Sequence, residues 1–273
     1  MLRRGAFLCL ALVLPALMAQ AQYASSFDSR KPQVVQSGKA QLFTLANQVR
    51  MQNGLGTLQW DPALAAAAQQ HCLRMAQDGS ISHRYRGEPE LTDRAGTAGA
   101  HFSLIEENVA VDASAPRVHQ AWMNSPHHRD NLLNPGIDRV GIAVVARGGA
   151  VYAVADYARV VQVLTPAQVE TALAGKLRAR GLSILQDSSE ARAYCASSGR
   201  FRGADGASFL MRWQGPNVTE LPQELANRVA SSNFRQAAVG SCPAQHVEGA
   251  FTVYRVAVLL YTQESAALQK PSY

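Results

Sequence analysis

The chain has 273 residues and a formal net charge of +6 at neutral pH. Its content of 47% hydrophobic and 17% charged residues is typical of a folded globular protein and excludes an intrinsically disordered chain. This length can hold one large domain or two modest ones. The mild basic excess would suit contact with anionic envelope polymers or lipid head groups, although a solvated surface is the simpler interpretation.

The N-terminus has the features of a secretory signal. Arg3 and Arg4 precede an apolar run, and the small-x-small sequence Ala-Gln-Ala follows at 19–21. We therefore expect residues 1–21 to be a cleaved signal peptide and the protein to be exported, either to the periplasm or to the outside. The alternative is an uncleaved membrane anchor, which the shortness of the run and Pro15 disfavour. We expect no transmembrane span after cleavage.

Three cysteines remain once the signal is removed: Cys72, Cys195 and Cys242. Export permits disulfide formation. Cys195 and Cys242 both lie in the C-terminal part, so we predict that they pair. Cys72 lies on the apolar stripe of a predicted helix and is expected to be a buried free thiol. No Cys-x-x-Cys motif or His/Cys cluster predicts a structural zinc site.

Helices and two strands are predicted between residues 22 and 161. The polar stretch 22–37 reads as a linker or a loosely docked arm, and 80–100 as mostly loop. Asp61 is a good N-cap with Pro62 in the first turn behind it. The predicted elements are helices at 39–52, 61–78, 114–124 and from 126 onward, and strands at 140–145 and 151–157 joined as a hairpin.

The C-terminal part is predicted to be a further α+β unit of about a hundred residues, enough for its own core. Thr165-Pro166 opens a helix whose apolar stripe is stopped by Gly181. The other predicted elements are helices at 189–195 and 221–230 and strands at 209–213 and 251–261. No internal sequence repeat is visible, and the region resembles no family that we recognise.

The stretch His101–Val145 carries several motifs in a fixed order. They are Glu107-Asn108, Ser125-Pro126-His127-His128-Arg129, Asn131-Leu132-Leu133-Asn134-Pro135 and a Gly-Ile-Ala-Val-Val strand, with Trp60-Asp61-Pro62 upstream. Together they resemble the bacterial branch of the CAP superfamily, the cysteine-rich secretory, antigen 5 and pathogenesis-related 1 proteins with an SCP-like extracellular domain. The resemblance covers roughly residues 38–161 and implies a three-layer α-β-α sandwich. We therefore predict an α+β chain with a CAP domain at 38–163 and an α+β domain of unknown family at 164–273.

The resemblance also implies a cleft lined by two histidines and two acidic residues. Position by position, the histidines correspond to His83 and His128 and one acid to Glu107, and we predict these three as metal ligands. The fourth position stays open, because Glu88, Glu90 and Asp93 all fall in an irregular loop. As ligand-binding residues we predict Glu88, Asn108 and Arg129.

Two imidazoles and a carboxylate can bind a divalent ion such as zinc and leave a position open for water. The alternative is that the three residues form a buried hydrogen-bonded network that fixes the loops. We expect a non-enzymatic binding module for a small apolar or anionic ligand, such as a lipid, a sterol-like molecule or an anionic glycan, and no nucleic-acid partner. The alternatives are a metal-dependent hydrolase of peptides or envelope material, and a structural envelope protein docked through its C-terminal domain. No Gly-x-Ser-x-Gly motif surrounds Ser125, which disfavours a serine hydrolase.

Overall fold

The computed structural model of the chain describes residues 29–198, 206–245, 247 and 249–262. The predicted signal peptide at 1–21 and the beginning of the predicted linker lie outside the described residues. Among the residues that are described, no helix combines the length and apolar character needed to span a membrane.

The elements up to residue 160 build the first sheet and its helices. They are β1 (Gln33–Val34), α1 (Gln36–Gln52), β2 (Gln59–Trp60), α2 (Pro62–Asp78), α3 (Leu91–Thr97), β3 (Phe102–Asp112), α4 (Ala115–Asn124), α5 (Pro126–Leu133), β4 (Arg139–Arg147) and β5 (Ala150–Val160). The sheet has the order β1-β4-β5-β3, and β2 pairs with β4 on the same side as β1. β3 therefore forms one edge of the sheet.

Helices cover both faces of this sheet. Val140, Ile142 and Val144 of β4 pack in one cluster with side chains of α1, α4 and α5. Ala143 and Val145 pack on the opposite face with side chains of α2. Because successive side chains of a strand point to opposite faces, a strand covered on both sides reads as an uninterrupted apolar run. The predicted α+β class and the α-β-α sandwich are confirmed.

Helix α2 begins and ends as its sequence predicts. The Asp61 side chain accepts hydrogen bonds from the backbone N–H groups of Ala63 and Leu64, both at 2.9 Å, and Gly79 ends the helix in the left-handed conformation. The helix backbone lies directly on the sheet: a Cβ atom added at Gly141 would lie 2.0 Å from the Ala65 nitrogen. Glycine at position 141 thus sets the distance between α2 and β4.

In the first half of the chain the structure differs from the sequence prediction beyond the short unpredicted strand β2. Within the predicted linker 22–37, Gln33–Val34 pairs with β4 and α1 already begins at Gln36, so the last part of that stretch belongs to the first sheet and its helices. The predicted loop 80–100 contains the helix α3. The eleven-residue strand β3 had no counterpart in the sequence prediction, because its central residues Glu106-Glu107-Asn108 are poor strand formers.

The C-terminal region forms a second sheet of order β6-β8-β9-β7. Its elements are α6 (Pro166–Arg178), β6 (Ser183–Ile184), α7 (Ser189–Ala196), β7 (Phe209–Gly215), α8 (Gln223–Ser231), β8 (Phe234–Cys242) and β9 (Tyr254–Thr262). Side chains of α6 and α8 pack on one face and those of α7 on the other. The sequence predicted α6, α7, α8, β7 and β9 but neither β6 nor β8.

The cysteines are arranged as predicted. Cys195 of α7 and Cys242 of β8 form a disulfide across 47 residues of sequence, which ties the helix to its sheet. Cys72 is a buried free cysteine. Burial raises the pKa of the Cys72 thiol to about 12, so that it is not a nucleophile at neutral pH.

The two sheets share one topology. β2 is parallel to β4, as β6 is to β8, and the antiparallel pairs β4–β5 and β3–β5 correspond to β8–β9 and β7–β9. The helix contact repeats as well: a Cβ atom at Gly240 of β8 would lie 2.2 Å from the Arg192 nitrogen of α7. Since no sequence repeat accompanies this correspondence, it is visible only in the structure.

A short segment before β9 joins the two halves. The Phe251 ring contacts the Phe102 ring edge to face at 5.4 Å, and the Thr252 N–H donates to the Phe102 carbonyl at 2.8 Å. Ala250 and Phe251 also pack with the hydrophobic cluster between α2, α3 and β3. The C-terminal region therefore contacts the first sheet beside its β3 edge.

We expect the Cys195→Ser/Cys242→Ser double variant to lose about 2–4 kcal/mol of unfolding free energy, because the bond no longer restricts the unfolded chain. Chemical unfolding with and without reductant measures this. Reductant should lower the stability of the wild type by a similar amount and leave the double variant unchanged; a reductant effect of equal size on both would contradict the prediction.

A pair of glycine variants tests how closely α2 lies on the sheet. We expect Gly141→Ala to cost about 2 kcal/mol or more, because the new methyl group meets the backbone of α2. Gly175→Ala in α6 meets nothing within 4 Å and should instead add about 0.5–1 kcal/mol through helix propensity. Thermal unfolding of both variants against the wild type measures the two signs, and equal signs would contradict this packing.

Candidate functional site

The site is built around Glu107 and Asn108, adjacent residues of the edge strand β3. Their side chains point to opposite faces of the sheet, and each one fixes a different histidine segment. The Glu107 carboxylate forms a hydrogen bond with the side chain of His83. The Asn108 amide donates a hydrogen bond to the backbone carbonyl of His128 at 2.8 Å. Because no further strand among the described residues covers the free edge of β3, the segments of His83 and His128 come together at this edge.

Glu107 is nearly fully buried, and both of its carboxylate oxygens are engaged. Oε1 lies 2.8 Å from His83 Nδ1, and Oε2 lies 2.5 Å from a terminal nitrogen of Arg94. The Arg94 side chain is buried too and donates to the carbonyls of His83 and Pro89. This buried ion pair connects α3, the loop before it and β3.

Asp156 of β5 lies directly opposite Glu107 in the strand register and is completely buried. Burial, together with the neighbouring Glu107 charge, raises the pKa of Asp156 well above its ordinary value. The buried position of Asp156 beside Glu107 therefore disfavours its charged form. The sequence analysis did not select Asp156, although an acid within the apolar run of β5 is the signal that marks it.

Asn108 has no exposed surface and holds the start of α5 against β3. Its side-chain oxygen accepts from the Asn131 amide at 3.0 Å, and the Asn131 amide also contacts the Glu107 carbonyl at 3.2 Å. The position of His128 on α5 therefore depends on two asparagines of the motifs recognised in the sequence. The predicted ligand-binding residue Asn108 thus braces the site.

The imidazole rings of His83 and His128 are neighbours, with their centroids 6.4 Å apart and their planes tilted by 47°. The His83 side chain is 60% exposed, so this pair opens to solvent above the buried Glu107. The hydrogen bond to Glu107 raises the pKa of His83. Burial, followed by the charges of His83 and His127, lowers the pKa of His128. Because the pKa of His83 is raised and that of His128 is lowered, His83 takes up its proton before His128 as the pH falls.

The three acids considered for the fourth position lie in different surroundings. Glu88 bonds His71 Nδ1 at 2.7 Å and the Tyr85 N–H at 3.0 Å. Glu90 forms an ion pair with Arg84 on the surface, and Asp93 lies in the first turn of α3.

His71 connects Glu88 to the centre of the site. This histidine is fully buried, its Nε2 lies 2.7 Å from the Ser82 carbonyl, and the same nitrogen lies 3.9 Å from Glu107 Oε2. His71 was not among the residues selected from the sequence, because its position bordering the apolar stripe of α2 gives no sign of this role.

In the part of the chain that the structure describes, no group of three or more His, Cys, Asp or Glu side chains is placed to hold a metal ion. The predicted ligands His83 and His128 lie side by side, while the Glu107 oxygens are directed to His83 and Arg94. The predicted three-ligand set stays a prediction.

The family model of the cysteine-rich secretory proteins, CAP, matches residues 43–160 of the chain. This match spans the strands and helices that carry the site. Residues 43–160 form a CAP domain. It is of the bacterial type, as the motifs of β3 and α5 had indicated.

Bacterial proteins are similar to this CAP domain over part of their length. Two Bacillus subtilis proteins, the membrane protein YlbC and the protein YkwD, are 29% and 30% identical over 118 residues, or 43% of this chain. The match spans 34% and 46% of those two relatives. Among solved structures, an extracellular SCP-domain protein from Bacillus anthracis is 29% identical over 45% of this chain and 40% of that one, with a TM-score of 0.41. An outer surface protein from Borrelia burgdorferi is 21% identical over 47% of this chain and 98% of that one, with a TM-score of 0.44.

The opposite pKa shifts in the CAP cleft can be measured by NMR titration of the imidazole protons. We expect His83 to titrate above and His128 below the ordinary histidine range. His83→Asn should raise the pKa of His128, because it removes a nearby positive charge, while burial still keeps that pKa low. His101→Asn is the control and should leave His128 unchanged; an unchanged His128 in the His83 variant would contradict the coupling.

Proposed function

We propose that this chain is an exported, non-enzymatic binding module whose CAP cleft holds a divalent metal ion between His83 and His128 and presents it to an anionic ligand. One observation carries the proposal: the buried carboxylate of Glu107 lies 2.8 Å from Nδ1 of the exposed His83, whose ring lies next to that of His128. Metal-binding histidines very often have such a carboxylate partner on their second nitrogen.

The contact with Glu107 decides which nitrogen of His83 is available. A carboxylate accepts a hydrogen bond, so Nδ1 of His83 carries the proton and donates it. In the neutral ring Nε2 then keeps its lone pair, as a metal ligand requires. Glu107 acts in this proposal as the partner that orients His83, with His83 and His128 as the protein ligands.

A bound zinc ion would supply a positive centre with coordination positions open to water or to a ligand oxygen. The residues around it add to the attraction for anions, because Arg129 lies exposed on α5 next to His128 and Arg86 lies exposed after His83. The charge of Glu107 does not oppose this attraction strongly, since it is buried and paired with Arg94. An anionic group is therefore the ligand class that the cleft favours.

The contacts of Glu107 also support binding over hydrolysis. A general base must reach the water that it deprotonates, and both oxygens of the Glu107 carboxylate are already engaged by His83 and Arg94. Asp156 lies opposite Glu107 in the sheet and is fully buried, away from solvent water. Neither acid is placed as the base of a metal-dependent hydrolase would be.

Export is supported by two features of different kinds. The N-terminal sequence predicts a signal peptide at 1–21, and Cys195 and Cys242 form a disulfide, a bond that persists in oxidising compartments outside the cytosol. The extracellular SCP-domain protein of Bacillus anthracis agrees with such a location.

Isothermal titration of zinc into the metal-free protein tests the proposal at a pH above the measured pKa of His83, where both imidazoles are neutral. We expect micromolar or tighter binding that is lost in the His83→Ala/His128→Ala variant, because both ligands are removed. His127→Ala is the matched control: it removes the adjacent exposed histidine and should keep the binding. Equal binding by wild type and double variant would contradict the metal site, and zinc-dependent peptide hydrolysis lost in the double variant would contradict a non-enzymatic role.

The pH dependence of the same titration has a defined sign. Protons and zinc compete for the imidazole lone pairs, so zinc affinity should fall as the pH drops through the raised pKa of His83. His128, whose pKa is lowered, remains available to more acid pH. An affinity that stays constant across this range would show that His83 is not a ligand.

A further inference from the structure

A cavity of about 620 Å³ lies where the CAP domain meets the C-terminal region. The end of β5 and the linker to α6 form one wall, and α6 and the residues after β7 form the other. Its volume is in the range of small-molecule pockets, roughly 300–1,000 Å³. The cavity is separate from the cleft of His83 and His128, whose residues do not line it.

The walls of this junction cavity are fixed by contacts between the two halves. The Tyr254 hydroxyl at the start of β9 donates to the Gln162 carbonyl and accepts from the Leu164 N–H. The ring contact of Phe251 with Phe102 holds the same segment against β3. The tyrosine therefore joins the linker to the second sheet and contributes its ring to the wall.

Most of the wall is apolar. Aliphatic side chains and a proline from both halves provide it: Val160, Val161, Leu164, Ala172, Pro216 and Val218. Val161 and Leu164 are only half-buried in the protein. An apolar body that enters the cavity would remove this surface from water, which is favourable.

The charged residues of the cavity are two cations and one acid: Arg159, Lys176 and Asp138. The acid is already compensated, because Oδ1 of Asp138 accepts from the Val160 N–H at 3.0 Å and Oδ2 lies 3.6 Å from Arg139 and 3.8 Å from Arg159. Lys176 is exposed on α6 at the rim. The residues that line the cavity thus carry a net positive charge, and this charge lies next to the apolar wall.

We propose that the junction cavity binds a free single-chain amphiphile with one anionic head group. Its apolar body lies against the wall of valine, leucine and alanine side chains, and its carboxylate or sulfonate lies at Lys176 and Arg159. The half-enclosed shape favours a molecule taken up from solution over a lipid that stays within a bilayer. This site would work with or without a metal in the CAP cleft.

Two fluorescent probes that differ in one charge test the proposal. Anilinonaphthalenesulfonate carries the anionic group, and phenylnaphthylamine has the same rings without it. We expect the sulfonate to bind saturably and more tightly, and dodecanoate to displace it. Lys176→Glu should weaken the sulfonate by roughly tenfold, because it places like charges together, while changing the neutral probe little. Ala172→Trp should fill the cavity and reduce binding of both probes.

Matched controls separate this site from others. Arg178→Glu reverses an exposed charge two residues further along α6 that does not line the cavity, and it should bind the sulfonate as the wild type does. The His83→Ala/His128→Ala variant should do the same, so failure of the metal proposal and of this one can be told apart. Far-UV circular dichroism and the unfolding midpoint verify that each variant is folded.

Wild-type affinity in both Lys176→Glu and Ala172→Trp would overturn the proposal. Equal affinity for the two probes would overturn the anionic head group. If vesicles of phosphatidylglycerol bind the protein and dodecanoate fails to displace the sulfonate, the cavity is part of a membrane-contacting surface and the free amphiphile is wrong.

Discussion

The buried charge of Glu107 is the constraint on which the arrangement of the CAP cleft depends. A carboxylate taken out of water is costly unless it is paired and hydrogen-bonded. Arg94 and His83 meet this requirement, and burial beside Glu107 disfavours a second negative charge on Asp156. Removing one member of such a buried pair typically costs about 3–5 kcal/mol, because the other is left uncompensated. The long connection between α2 and β3 is thereby fixed in one position by charge.

The same charge sets the chemistry of the exposed part of the cleft. Glu107 favours a proton on His83, and a protonated His83 disfavours one on His128. The pKa values of the two rings, though the rings are similar and adjacent, are therefore shifted in opposite directions. In the proposed function a divalent ion would replace the proton as the positive charge between the two rings, so metal binding would depend on the titration of the cleft.

The sequence predicts the parts of this structure whose cause is local. Asp61 with Pro62, the apolar stripe of α2 and the uninterrupted apolar run of β4 each specify an element through capping or periodicity, and these elements were confirmed. β3 could not be recognised in this way, because Glu107 and Asn108 belong to a strand only through partners elsewhere in the chain. The helix α3 is held similarly, by the pairing of Arg94 with Glu107 across the site.

The residues of the cleft show the same division. The resemblance to a known family selected His83, Glu107 and His128. It did not select His71 and Asp156, because their roles arise only from contacts with residues far away in the sequence. His71 lies on a stripe with ordinary core residues, and its contact with Glu88 spans 17 residues of sequence. Asp156 becomes significant only when β5 is placed next to β3.

A comparison of the two sheets, which share one topology, shows which residues of the site the topology determines. In the first sheet Gly141, Asp156 and Glu107 lie in one row across β4, β5 and β3. The corresponding row across β8, β9 and β7 is Gly240, Ala257 and Arg212. The glycine is present in both rows, because each sheet has a helix backbone lying against it.

The acids, in contrast, have no counterpart in the second row. Arg212 donates instead to the carbonyls of Tyr194 and Ser197 at the end of α7. A helix C-terminus with its unpaired carbonyls suits a cation there, so the second row stabilises a helix end. The fold thus repeats what packing requires, while the acidic pair and its histidines belong to the first sheet alone among the described residues. In the proposed amphiphile site the C-terminal region contributes through its contact with the CAP domain, where Tyr254 and α6 form one side of the junction cavity.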